Sequence, residues 1–408
     1  MPPKMGLWVQ KYGGTSVGDL ERIHKVAQRV QHYREQGHRL AVVVSAMGQM
    51  TDELIALARR IHPRPPQREL DLLTTIGEQQ SVALLSIQLA ALGIPARGFT
   101  QGQIGIYTDG RYGDARILRV EPRMIQESLA RGEVAVVAGF MGVTEAGELT
   151  TLGRGGSDTT AVALAAALGA PECEIYTDTE GVYTTDPHAL PEARKLPRIG
   201  YDQMLEMAAL GARVLHPRSV YYAKRYGIRI HVRSSFSYNP GTLVEAHVEL
   251  ERPVTGVAVD EEIAQIGLVG IPDRPGIAAR VFEALAREGI AVDMIIQGVP
   301  GHEASRQQMA FTVRQDIAEA ALEALEPVLR EIGGEATLRR EVAKISIVGV
   351  ALASTPGIPA RMFEALAQAG ANIEMIATSE VRISAIIDRR YAEAALRSVH
   401  RAFELEQA

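Results

Sequence analysis

The stretch Thr150–Asp178, TTLGRGGSDTTAVALAAALGAPECEIYTD, decides the fold. Gly153, Arg154, Gly155 and Gly156 precede an alanine-rich run that reads as a helix from near Ser157–Asp158 to about residue 168. CEIYTD (173–178) then reads as a short buried strand. Loop, helix and buried strand in succession are the building unit of a three-layer α/β domain. A helix N-terminus collects unpaired N–H groups and the positive end of the helix dipole, so the glycine loop suits an anion. Asp158, however, puts a negative charge where that anion would rest. The loop is either a tight turn capped by Ser157 or Asp158, or an anion site beside a deliberate carboxylate.

Working outward, LWVQKY (7–12), LAVVVSA (40–46), VAVVAGF (134–140) and IRIHVR (228–233) read as further buried strands. Helical patterns fall near 20–35, 51–61, 68–92, 122–131, 158–168 and 216–226, and the proline-rich HPRPPQ (62–67) is a loop. The fold class expected is α/β, with a mainly parallel central sheet and ligands at the carboxyl ends of its strands.

After residue 250 an internal repeat appears. IGLVGIPDRPGIAARVFEALAREGIAVDMII begins at Ile266, and ISIVGVALASTPGIPARMFEALAQAGANIEMIA begins at Ile345. Each copy reads as βαββαβ, but the second runs out of chain before its fourth strand. VTGVAVD (254–260) is unassigned and can supply it. The expected domains are therefore 1–250, an inserted first repeat at 263–341, and a second repeat made of 254–260 plus 342–408.

At 408 residues, 46% hydrophobic and 23% charged, the chain has the balance of a globular protein with two or three domains. A net charge of −6 leaves no basic footprint for nucleic acid or anionic membrane. The single cysteine, Cys173, excludes an intrachain disulfide and a cysteine-rich zinc site. No signal-peptide core and no apolar run of spanning length are present, so a cytoplasmic protein is expected.

VQKYGGTSVGD (9–19) is a second glycine loop, with Lys11 closing a strand and Gly13, Gly14, Thr15 and Ser16 turning towards a helix. Such a backbone nest with one lysine suits phosphate, although it is not a Walker A loop. Asp178 follows Asp158 at the spacing of a ribose-binding carboxylate, and the failed G-x-G-x-x-G pattern favours ATP over NAD.

KYGGTSVGD (11–19), SAMGQMTDEL (45–54), TTIGEQQS (74–81), TTLGRGGSDTTA (150–161), YTDTEGVYTTDP (176–187), MLEMAALGARVLHPRSV (204–220) and VRSSFSYNPGTLV (232–244) occur in order. Together they resemble the aspartate kinases of the amino-acid kinase family, and the two repeats resemble their paired ACT domains. The resemblance implies ATP-dependent phosphorylation of the side-chain carboxylate of L-aspartate, giving 4-phospho-L-aspartate on the way to lysine, threonine and methionine.

By that resemblance Lys11, Asp158 and Arg213 are catalytic, with Asp158 orienting Lys11. Lys11, Gly13, Gly14, Thr177, Asp178, Tyr183 and Arg213 hold ATP, its Mg²⁺ riding on the phosphates without a protein metal cage. Ser45, Thr51, Glu78, Arg154, Gly155, Gly156 and Ser157 hold aspartate, Arg154 as a fork on the α-carboxylate and Glu78 on the ammonium. Many relatives carry lysine where Arg213 stands. The resemblance further implies feedback inhibition by threonine, lysine or both, at Asp273, Pro275, Gly276, Ile277, Ala278, Gln297, Asn372 and Ile373. The second repeat has Ser354-Thr355 where the first has Asp273-Arg274, so the two are not equivalent sites. A homo-oligomer built through the repeats is expected, with a shorter regulatory chain from the same gene as a further partner.

Plainer readings stand beside these. Glu78 could be a solvated helix carboxylate, Ser45 and Thr51 could cap a helix, Tyr183 could be core, His216 reads as a capping residue, and the repeats could serve assembly alone. Two other functions stay open: an amino-acid kinase acting on glutamate, acetylglutamate or carbamate, and an amino-acid sensor whose kinase domain has lost activity.

Overall fold

The structure is a computed structural model that describes residues 6–210, 214–246, 248, 252–298 and 306–407. Its first unit carries strands β1 (Leu7–Tyr12), β2 (Arg39–Val44), β3 (Ala96–Phe99), β4 (Ile106–Thr108), β5 (Ile117–Val120), β6 (Val134–Ala138), β7 (Met141–Val143), β8 (Leu149–Thr151), β9 (Glu172–Thr177), β10 (Arg198–Gly200), β11 (Arg229–Ser234) and β12 (Thr242–Glu245). Its helices are α1 (Leu20–Glu35), α2 (Met50–Ile61), α3 (Gln67–Thr74), α4 (Ile76–Ala91), α5 (Arg123–Ala130), α6 (Gly156–Leu168), α7 (Tyr201–Ala209) and α8 (Pro217–Tyr226).

Eight strands form the main sheet in the order β10-β12-β11-β9-β1-β2-β6-β3. Its pairs are parallel except β11 with β12. The central strands are apolar on both faces because helices cover both: Val9, Leu40–Val44, Val134–Ala138, Cys173 and Ile175 have no exposure. α6 is buried from Gly156 through Ala165, which explains why its run is alanine-rich all round rather than striped. A second, four-stranded sheet, β5-β4-β7-β8, gathers strands of three or four residues. The 68–92 pattern proves to be two helices, broken at Thr75 between α3 and α4.

The second unit carries β13 (Val254–Asp260), β14 (Ile263–Pro272), α9 (Ile277–Arg287), β15 (Ile295–Gln297), β16 (Arg306–Arg314), α10 (Ala318–Ile332), β17 (Glu335–Arg339), β18 (Val342–Gly349), α11 (Ile358–Gln368), β19 (Met375–Thr378), β20 (Arg382–Asp388) and α12 (Ala392–Ala402). Two four-stranded sheets result, β15-β16-β14-β17 and β13-β18-β20-β19. β13 pairs antiparallel with β18, Val257 opposite Ile347 and Asp260 opposite Lys344. Thr184–Arg194 also packs in this unit, where Leu190 enters the apolar core and the Thr184 hydroxyl lies 2.9 Å from Nε2 of buried His400. Among the described residues no helix is long and apolar enough to cross a membrane.

Candidate active site

The carboxyl ends of β1, β2, β6 and β9 bring the chemistry together. Lys11 is the penultimate residue of β1, and the 3₁₀ turn Gly14–Val17 leads to Asp19, whose side chain caps α1 by accepting from the Arg22 N–H at 2.8 Å. Lys11 Nζ lies 2.7 Å from Asp158 Oδ1 in the first turn of α6, with both side chains close to nine-tenths buried. Such a pair is retained only where each charge neutralises the other, since removing one partner leaves a buried charge alone. Asp158 therefore faces a cation, which resolves its conflict with an anion at this helix end.

The two glycines of the first loop do different work. A Cβ on Gly14 would stand 2.9 Å from the Ala46 carbonyl oxygen and 3.0 Å from that of Gly48, so the loop is seated against the segment after β2. The Gly13 N–H donates to the Tyr176 carbonyl at 3.4 Å. Gly13 also keeps space beside Lys11, whose Nζ would be 3.2 Å from a Cβ there.

The second loop is not capped by a side chain. α6 starts at Gly156 rather than at Ser157–Asp158, and its N-cap is Gly155 with φ of 71°. Neither Ser157 nor Asp158 caps it, so the capped-turn reading falls. A Cβ on Gly155 would stand 2.2 Å from His216 Cβ, so only glycine fits. His216 itself caps α8, its Nδ1 accepting from the Arg218 N–H at 3.3 Å, and burial holds its pKa below the ordinary value. Ser157 is buried against Gly139 at the end of β6. Arg154 is exposed, and its guanidinium makes no ion pair with the described residues.

Glu78 lies in the first turn of α4 and is only 3% exposed. One oxygen accepts from the Ala46 N–H at 3.1 Å, whereas the other, Oε2, is buried without a hydrogen-bond partner among the described residues. Burial pushes its pKa up to about 7. It is neither solvated nor a cap. A buried carboxylate with an unspent oxygen is what an incoming ammonium requires. Ser45 follows β2, its N–H donating to the Tyr12 carbonyl at 3.1 Å. Thr51 lies in the first turn of α2, whose N-cap is Gln49 and carries no side-chain cap bond, so the plainer reading of these two hydroxyls as caps does not apply.

Thr177 closes β9 and its hydroxyl donates to the carboxylate of the following Asp178 at 3.1 Å, and the Ser235 N–H donates to the Thr177 carbonyl. Tyr183 is half-buried and forms a β-bridge with Lys195. Arg213 falls outside the described residues. In the second unit, Asp273, Pro275 and Gly276 are exposed at the start of α9, where Gly276 is the N-cap with φ of 93°, Ile277 is buried and Ala278 half-buried. Gln297 closes β15, and Asn372 and Ile373 precede β19.

For a metal, the described residues offer Glu172, Glu174 and His231, with ligand atoms within 4.8 Å of one another. Glu174 is already spent on Gln10, Tyr33, Tyr176 and Arg233, and Glu172 on Arg229 and His231. That is an ion-pair and hydrogen-bond network on β9 and β11, not a vacant ligand set.

Sequence reasoning missed Phe140. Its φ of 71° is a strained backbone for a bulky residue. Its N–H donates to Thr160 Oγ1 at 3.2 Å, its carbonyl accepts from the Leu152 N–H, and its ring would touch a Cβ on Gly156. The flanking glycines of GFMG were the available signal.

Residues 6–234 match the amino acid kinase family, and 266–329 and 345–403 match the ACT domain. The chain is 78% identical to an aspartokinase of Thermus thermophilus, over 99% of this chain and 100% of that one. Among solved structures it resembles E. coli aspartokinase III in complex with aspartate and ADP (R-state), at a TM-score of 0.82 and 26% identity, covering 97% of this chain and 99% of that one. It also resembles the same enzyme in complex with lysine and aspartate (T-state), at a TM-score of 0.75 and 26% identity, over 98% and 99%.

Proposed function

Because the chain belongs to the aspartokinases of the amino acid kinase family, we propose that it transfers the γ-phosphoryl group of MgATP to the side-chain carboxylate of L-aspartate. The reading is carried by the complementarity of Glu78 and Arg154: a buried carboxyl with one unspent oxygen, and a guanidinium without an ionic partner among the described residues. An α-amino acid presents the matching ammonium and carboxylate. In this reading Ser45, Thr51, Gly155, Gly156 and Ser157 complete the aspartate site.

A side-chain oxygen of aspartate attacks the γ-phosphorus, the bond to the β-phosphate oxygen breaks, and ADP leaves with that electron pair. The nucleophile is already ionised at neutral pH, so no general base is needed. What the reaction needs is alignment and charge neutralisation. Lys11 supplies the charge at the transferring group, and Asp158 keeps it aimed. Gly13 and Gly14 let the phosphates approach, and Arg213 adds charge there. Thr177, Asp178 and Tyr183 receive the nucleoside, and Mg²⁺ arrives on the ATP oxygens.

The two repeats carry feedback inhibition by threonine, lysine or both, with Asp273, Pro275, Gly276, Ile277, Ala278, Gln297, Asn372 and Ile373 as effector contacts. E. coli aspartokinase III in its lysine complex supports that reading. The protein works in the cytoplasm as a homo-oligomer joined through the repeats, with a shorter regulatory chain as a further partner. Aspartate-dependent ADP release, with glutamate and acetylglutamate as competing acceptors and with threonine or lysine added, tests it. Turnover specific to aspartate and suppressed by an added amino acid is expected. Release with glutamate alone would transfer the protein to another branch, and effector binding without any turnover would make it a sensor.

A further inference from the structure

Asp71 lies in α3, outside every glycine loop, yet it is 1% exposed and its carboxylate is surrounded by donors. Oδ2 accepts from the Thr151 N–H at 2.9 Å and the Gly113 N–H at 2.8 Å. Oδ1 accepts from the Thr151 hydroxyl at 3.1 Å and from Gln67 Nε2 at 3.2 Å. Thr151 ends β8, immediately before the loop that carries Arg154. Gly113 belongs to the segment that backs this loop: a Cβ on Gly153 would stand 2.8 Å from Asp114 Oδ1 and 3.0 Å from the Gly113 carbonyl oxygen. The backbone carbonyl of Asp71 also accepts the Thr75 N–H at the joint into α4, whose first turn holds Glu78.

One buried residue thus ties the helix joint carrying Glu78 to the loop carrying Arg154. We propose that Asp71 is a positioning residue that fixes the span between the ammonium acceptor and the carboxylate fork of the amino-acid site. The inference rests on the substrate-site reading above. An ionised carboxylate can accept every one of these bonds, whereas an asparagine must turn an N–H₂ towards one set of donors. The loop would then lose its anchor while Lys11, Asp158 and the nucleotide side stay in place.

The test is steady-state kinetics of the full-length protein for Asp71→Asn, Arg154→Ala and the double variant, with Thr151→Val as the milder lesion should Asp71→Asn fail to fold. Asp71→Asn should raise the KM for aspartate about tenfold or more, with the KM for ATP within about twofold. Thr151→Val should shift aspartate in the same direction by less. In the Arg154→Ala background, Asp71→Asn should add little, because the anchor acts through the loop that presents the guanidinium. If Arg154→Ala weakens aspartate but Asp71→Asn and Thr151→Val do not, or if they raise both KM values alike, the positioning role is overturned and Asp71 is only a structural anchor. If Arg154→Ala leaves the aspartate KM unchanged, the site reading itself fails, and this inference with it.

Discussion

Buried at 3% exposure with Oε2 unpartnered, the Glu78 carboxyl holds its proton up to about pH 7 instead of the ordinary 4.5. A folded pKa raised above the unfolded one gives stability that is complete below about pH 4.5 and is lost as pH rises through 7. Glu78→Gln should therefore stabilise the ligand-free protein at pH 8 by up to about 3 kcal/mol, and hardly at all at pH 4.5. Thermal melts at the two pH values check this, and equal shifts would refute it. An ammonium at Oε2 pulls the carboxyl back to its ionised form, so aspartate binding near pH 6.5 should release protons. Calorimetry in buffers of differing ionisation enthalpy reads that release. At Lys11 the lever is the 2.7 Å pair with Asp158: Asp158→Asn should lower kcat by about 10²-fold through a misaimed cation, with a smaller effect on substrate KM values.

At the scale of elements, the loop into α6 shows how little freedom the sequence had. Gly155 at φ of 71° against His216 predicts that Gly155→Ala costs more than about 1 kcal/mol and weakens aspartate selectively. Melting temperature and the two KM values measure both effects. The long apolar strands and α6 were legible because a strand buried on both faces leaves an unbroken apolar run. The sheet β5-β4-β7-β8 was not, since strands of three or four residues show no periodicity. The break at Thr75 was hidden because Thr75 keeps helical angles, φ −71° and ψ −8°, within a pattern that continues on both sides. The glycine loops and their charged residues were legible by spacing, and the strained Phe140 was signalled only by its flanking glycines, but the Gly13 N–H bond to Tyr176 and the donors around Asp71 are tertiary facts with no local signature.

Across the whole molecule, the two repeats share an architecture but differ at the loop before the first helix. Gly276 and Gly357 both take left-handed N-cap angles, φ of 93° and 88°, yet only the first loop offers an acid, Asp273. The repeats also meet through charge: buried Lys344 in β18 lies 2.6 Å from Asp293 of the first repeat and 3.5 Å from Asp260 of β13. Effector binding at this level predicts that Asp273→Asn raises the threonine or lysine concentration for half-inhibition about tenfold. Dose–response curves check that, and an unchanged curve would leave the repeats to assembly alone.

The most direct measurement is of the product itself. Incubation with MgATP, L-aspartate and hydroxylamine, followed by mass analysis of the trapped hydroxamate, should give the side-chain hydroxamate of aspartate, formed in step with ADP. A hydroxamate of glutamate alone when both acids are supplied, or ADP released without any hydroxamate, would contradict the account.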